Sequence, residues 1–143
     1  MIRELANADA MPVLEQMMRF TAQRQRVLAH NIANIDTPDF LPLDVSPQRF
    51  QDALRQAVEA RRRAGGTGGL AQPRSREIRV GRDGSWTLRP GTSSGNILYH
   101  DRNNRDVEVM MKDLAENAMT FRVATDLYRQ QNDTLRTAIS QRV

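Results

Sequence analysis

Two histidines, His30 and His100, are the only imidazoles in this chain, and it contains no cysteine. One constellation has the ligand types for a hard cation: His30, Asp36, Asp39 and Asp44, gathered around the Thr37-Pro38 corner. Acidic residues just past a helix end are ordinarily solvated or bonded to backbone, so no metal site is expected there. Asp101, Asn103, Asn104 and Asp106 form a second polar string, but it lacks the central glycine and closing glutamate of a calcium-binding EF-hand loop and reads as a turn and a helix cap. None of the metalloprotease, dithiol, nucleophile-elbow, phosphate-loop or dinucleotide signatures occurs. With no nucleophile beside a base and no cofactor loop, neither catalytic nor cofactor-binding residues are expected, and the chain does not read as an enzyme.

The remaining chemistry is cationic. Arg61, Arg62 and Arg63, with Arg74, Arg76, Arg79 and Arg82, surround a glycine-rich stretch. Glycine-arginine segments can hold phosphates and stack on bases. Here no aromatic is interleaved between 61 and 76, Trp86 comes well beyond, and Glu59 and Glu77 bracket the tract. A formal charge of +4 over 143 residues is an ordinary solubility charge. No nucleic acid is expected as a partner. The competing reading is a basic adaptor that binds nucleic acid or anionic membrane through the Arg/Gly-rich insert, and its affinity would fall steeply with salt.

Elements of the right length to position any of this lie at the two ends. Steps of four and three from Val107 collect Met111, Leu114, Ala118, Phe121, Thr125, Tyr128, Asn132, Leu135 and Ile139, one helical stripe without Gly or Pro. Pairs of opposite charge four apart, Glu108 with Lys112, Lys112 with Glu116, Arg122 with Asp126 and Arg129 with Asp133, support its solvated flanks. At the other end Leu14, Met18, Thr21, Gln25, Leu28, Ile32 and Ile35 repeat the step, and Val13, Met17, Phe20 and Val27 widen the face. The fold class is mainly α, with long N- and C-terminal helices paired as a coiled-coil-like hairpin. A shorter helix, a flexible loop and a small β element lie between them.

In order, residues 1–9 are a flexible N-terminus and 10–45 an axial helix with its exit. Pro12 sits in the helix's first turn, and Thr37-Pro38 ends it. Ser46-Pro47 caps a short helix over 46–63. Residues 64–105 hold a flexible insert and a hairpin in which Gly81 to Ser85 joins 77–80 to 86–88. The C-terminal axial helix spans 106–143. Seven aromatics are few for a thick core, so an elongated shape completed by neighbouring chains is expected. Residues 1 to 10 show neither a cleavable signal nor a membrane span, so action outside the cytoplasm implies another export route.

The run from Leu28 to Phe40, with Asn31-Ile32-Ala33-Asn34 and then Thr37-Pro38-Asp39-Phe40, resembles the N-terminal motif of bacterial flagellar rod and hook axial proteins. It departs at Asp39, where that family favours glycine. The preceding Arg24 to Ala29 and the C-terminal Leu114 to Asn117 and Leu135 to Ile139 look most like the proximal rod subunits of the flagellar basal-body rod family. The resemblance covers residues 14–45 and 101–142. It implies a non-catalytic structural subunit of the periplasmic drive shaft, exported uncleaved by flagellar type III secretion and required for motility. The partners it implies are copies of itself, other rod subunits, the basal-body adaptor protein, the membrane ring protein and the export apparatus.

Overall fold

The computed structural model describes residues 2–66, 69–70, 75–81, 84–92 and 107–140. Among these residues three helices and two small sheets follow in the order α1 (Ile2–Ala33), β1 (Leu43–Asp44), α2 (Pro47–Arg63), β2 (Ile78–Val80), β3 (Trp86–Leu88), β4 (Gly91–Thr92) and α3 (Val107–Ser140). The chain is mainly α, with its two longest helices at the ends.

Helix α1 begins at Ile2, so the segment expected to be a flexible terminus is helical, and Pro12 lies inside the helix rather than in its first turn. Proline in a helix removes one backbone hydrogen bond and crowds the preceding turn. The turns just beyond it are held from outside, because Val13, Met17 and Phe20 pack on the middle of the chain. That middle forms a lobe. Phe20, Val45, Phe50, Ala53, Leu54, Ala57, Ile78 and Trp86 make one buried cluster, with Leu70, Val80 and Leu88 at its edge. Phe20 stacks on Phe50 at 3.9 Å between ring centroids, and Trp86 meets Phe50 edge-on at 6.1 Å.

Helix α2 contributes Phe50, Ala53, Leu54 and Ala57, a run at helical spacing. It starts where Ser46 Oγ accepts a hydrogen bond from Arg49 N, with Pro47 in the first turn. It ends in a Schellman arrangement: Gly66 N donates to Arg61 O and Gly65 N to Arg62 O, with Gly65 at φ 89. Strands β2 and β3 pair antiparallel, Ile78 with Leu88 and Val80 with Trp86. Their alternation buries Ile78 and Trp86 and exposes Arg79 and Thr87. A second pairing, Leu43 with Thr92 and Asp44 with Gly91, joins the connector after α1 to the end of the lobe.

Helices α1 and α3 run antiparallel, since Asn117 bonds to Thr21 while Asp113 faces Arg24. On α1 the expected seam residues Leu14 and Leu28 are buried, and Met18 and Ile32 are half-buried. On α3 the buried residues are Met110, Asn117 and Ala124. Val107, Met111, Phe121, Leu135 and Ile139, expected on the seam, are exposed, Phe121 by 41%, while Leu114 and Tyr128 are half-buried. Counting by apolarity selects the neighbouring row, because the row that faces α1 contains an asparagine and an alanine. Of the four charge pairs read on α3, Lys112 with Glu116 closes, at 3.7 Å.

Candidate functional site

The end of α1 and the chain leaving it are tied together by a run of hydrogen bonds. Asn31 is buried at the last turn of the helix. Its Nδ2 donates to Leu43 O at 2.6 Å, and its Oδ1 accepts from Leu43 N at 3.0 Å. One side-chain amide thus satisfies both polar groups of a backbone unit in β1, as a neighbouring strand would. Asn34 instead closes the helix end, donating to His30 O at 2.8 Å. Between them the chain reverses: Thr37 N donates to Asn34 O, and Phe40 N to Thr37 O across Pro38-Asp39. Asp39 has φ 58, the only described non-glycine residue with a positive φ. Proline second and a positive φ third are the marks of a type II turn. The conformation that glycine would supply is therefore kept with aspartate in its place. Phe40 lies edge-on to His30 at 5.6 Å, which folds the exit back against the helix.

A second junction lies two turns earlier. Arg24, 7% exposed in its side chain, forks onto Asp44, with Nε to Oδ1 at 2.9 Å and Nη2 to Oδ2 at 2.8 Å. The same guanidinium lies 3.9 Å from Asp113 of α3. Its planar fork suits paired carboxylate oxygens. Gln23 docks the hairpin in the manner of Asn31, donating to Trp86 O and accepting from Leu88 N, both at 3.0 Å. Glu77 ties the hairpin to α2 by accepting from Ser46 N at 3.0 Å and from the Arg49 guanidinium. Three helix side chains, Gln23, Arg24 and Asn31, therefore fix the lobe on α1.

Sequence reasoning singled out Asn31, Asn34, Thr37, Pro38 and Phe40, and the structure brings them together; Ile32 is half-buried and Ala33 exposed beside them. It gave no role to Gln23, or to Arg24 and Asn117 beyond their place in the segments that carry the resemblance. The available signal was positional: Arg24 and Asn31 continue the row Val13, Met17, Phe20, so polar residues there must meet polar partners in the interior. Of the possible ligands around Thr37-Pro38, Asp44 binds Arg24 and the His30 ring meets Asn34 Nδ2 and Phe40, while Asp36 and Asp39 are exposed. Among the described residues no group of His, Asp and Glu could hold a metal ion, and no helix is long and apolar enough to cross a membrane. In the arginine tract Arg61 is largely buried and Arg63 reaches Glu59 at 3.3 Å. His100, the 101–106 string with its capping candidates, Arg74 and Arg82 lie outside the described residues.

Away from the lobe, α3 exposes Met119, Val123 and Leu127, spaced by one turn, with Met119 67% and Val123 58% exposed. Two long helices, a lobe locked to one of them and an apolar stripe left on the other make the build of a structural subunit of a larger assembly. Comparison with known proteins narrows the class. No protein-family model matches the chain. The chain is 30% identical over 107 residues to the flagellar basal body rod protein FlgB of Borrelia hermsii, covering 73% of this chain and 76% of that protein. It is 26% identical over 129 residues to the protein of the same name from Bacillus subtilis (strain 168), covering 89% and 90%. The chain belongs to the family of FlgB flagellar basal body rod proteins.

Proposed function

We propose that the protein is a non-catalytic structural subunit of the proximal rod, part of the shaft that transmits torque through the periplasm for motility. The observation that carries this is the exit of α1: Asn31, the Thr37 to Phe40 turn and Arg24 hold the lobe at one angle to the helix pair. A repeated subunit that bears torque needs that angle to be the same in every copy. The exposed apolar stripe on α3 supports neighbours of the same helical kind, copies of this chain and other rod subunits, with the adaptor and the membrane ring protein at the base. Its passage would be through the flagellar export apparatus without cleavage of a signal.

The test is complementation of a strain lacking the gene. The wild-type chain should restore rods and swimming. Asn31→Ala leaves two backbone groups of Leu43 without their partner, a loss of about 1–3 kcal/mol, and should still be exported while entering rods poorly. Arg63→Ala, at an exposed pair, should behave as wild type. Full rod incorporation of Asn31→Ala would remove the support this reading takes from the exit.

A further inference from the structure

The buried residues of the α1–α3 seam repeat every seven positions on both helices, Leu14, Thr21 and Leu28 on α1 and Met110, Asn117 and Ala124 on α3. The bond from Asn117 to Thr21 sets the level, and from it Leu28 stands level with Met110 and Leu14 with Ala124. A strict heptad repeat has a weakness: sliding one helix by seven residues presents the same face again. Moved that far, the half-buried rows would still match apolar to apolar, Ile32 to Leu114 and Met18 to Tyr128. Along the half-buried rows hydrophobic contact therefore discriminates poorly between the two alignments, while in the buried row the slide sets Leu14 opposite Gln131 in place of Ala124.

Polar groups do discriminate. Asn117 Nδ2 donates both to Thr21 O at 2.9 Å and to Gln25 Oε1 at 2.8 Å, and Asn117 is 3% exposed. After a one-heptad slide it would face Leu28, with Ile32 where Gln25 had been. Asp113 would leave Arg24 in the same movement. We propose that Asn117 is the register key of the terminal helix pair, retained at the cost of apolar contact because it excludes the slipped alignment. Arg24 assists it by binding the lobe and facing α3 from one side chain, so register and lobe position are set together.

Absence of native cysteine allows the test on the full chain. Arg26→Cys and Ile139→Cys place nitroxide labels at exposed positions far apart along the axis of the helix pair, so that a slide changes their separation almost one for one, and dilution with unlabelled protein suppresses distances between copies. In the otherwise wild-type chain a double electron–electron resonance measurement should give one distance. Adding Asn117→Leu should give a second population displaced by about 10 Å, the rise of seven helical residues. Emission from Trp86, the single tryptophan, and the helical circular-dichroism signal should stay as in wild type. A single unshifted distance in the Leu variant overturns the proposal. Loss of the fold overturns it as well, since a seam residue kept for register alone is replaced by an apolar one of similar size without collapse.

Discussion

Phe20 and Thr21 are neighbours on α1 and enter two different interiors. Phe20 joins the lobe, where it stacks on Phe50 among Val45, Ile78 and Trp86. Thr21 enters the seam with α3, where its carbonyl accepts from Asn117 beside Arg24 and Gln25. The lobe is apolar and aromatic, and its strength comes from area removed from water. The seam is apolar toward its ends, at Leu14, Leu28, Met110 and Ala124, but polar at its centre, where Thr21 and Asn117 meet, and the content of that centre is positional. One interior stabilises and the other aligns, which fits a chain whose α3 also leaves Met119 and Val123 outside.

The largest effect expected from this contrast is in the lobe. Phe50→Ala removes a ring that contacts both Phe20 and Trp86 and should cost about 3–5 kcal/mol. Met110→Ala, at the end of the seam, should cost about 2 kcal/mol, the low end for a buried methionine. Urea unfolding followed by Trp86 emission and circular dichroism measures both. Equal losses would erase the distinction between the two interiors.

Arg24 belongs to both regions, so its removal sharpens the comparison. Arg24→Ala strands Asp44, whose side chain is 27% exposed, and should cost about 2–3 kcal/mol, below the range for a fully buried pair because water reaches the carboxylate. Arg24→Lys should recover less than half, since an ammonium cannot fork onto two oxygens. Amide exchange at Leu43 to Val45 and around Asp113 should quicken together in the Ala variant. Quickening on the lobe side alone would show that the 3.9 Å approach to Asp113 carries no coupling.

How legible all this was depends on what each element rests upon. Helix α2 and the β2–β3 hairpin follow from local chemistry: Ser46-Pro47 at one end, Gly65-Gly66 at the other, and alternation around Trp86. The α1 seam was readable because Leu14 and Leu28 are apolar. The α3 seam was not, because its buried row is Met110, Asn117, Ala124, and the greater apolar area lies beside it. Strands β1 and β4, two residues each, are too short to show a period. The docking of β1 and β3 relies on side-chain amides more than ten residues away in sequence, a partner choice that no local pattern encodes. Of the exit motif, the stop at Thr37-Pro38 was legible from local chemistry, while the part played by Asn31 came forward only through the resemblance to a family, since its bonding to Leu43 is tertiary.

The smallest expected effect is at Asp39, where the turn rather than either interior is at stake. A residue with a Cβ at φ 58 is crowded by its own carbonyl, by roughly 1–2 kcal/mol for most residues and less for aspartate. Glycine removes that crowding but gives the unfolded chain more freedom, which opposes the gain by about 0.5–1 kcal/mol. The difference leaves Asp39→Gly stabilising by no more than about 1 kcal/mol, with Phe40 still bonded to Thr37. Asp39→Ala keeps the crowding without the polar side chain that eases it, and should be destabilising. The midpoint of urea unfolding for the two variants gives the sign directly. If glycine destabilises as much as alanine, the aspartate carboxylate, not the backbone angle, is what this position contributes to the exit.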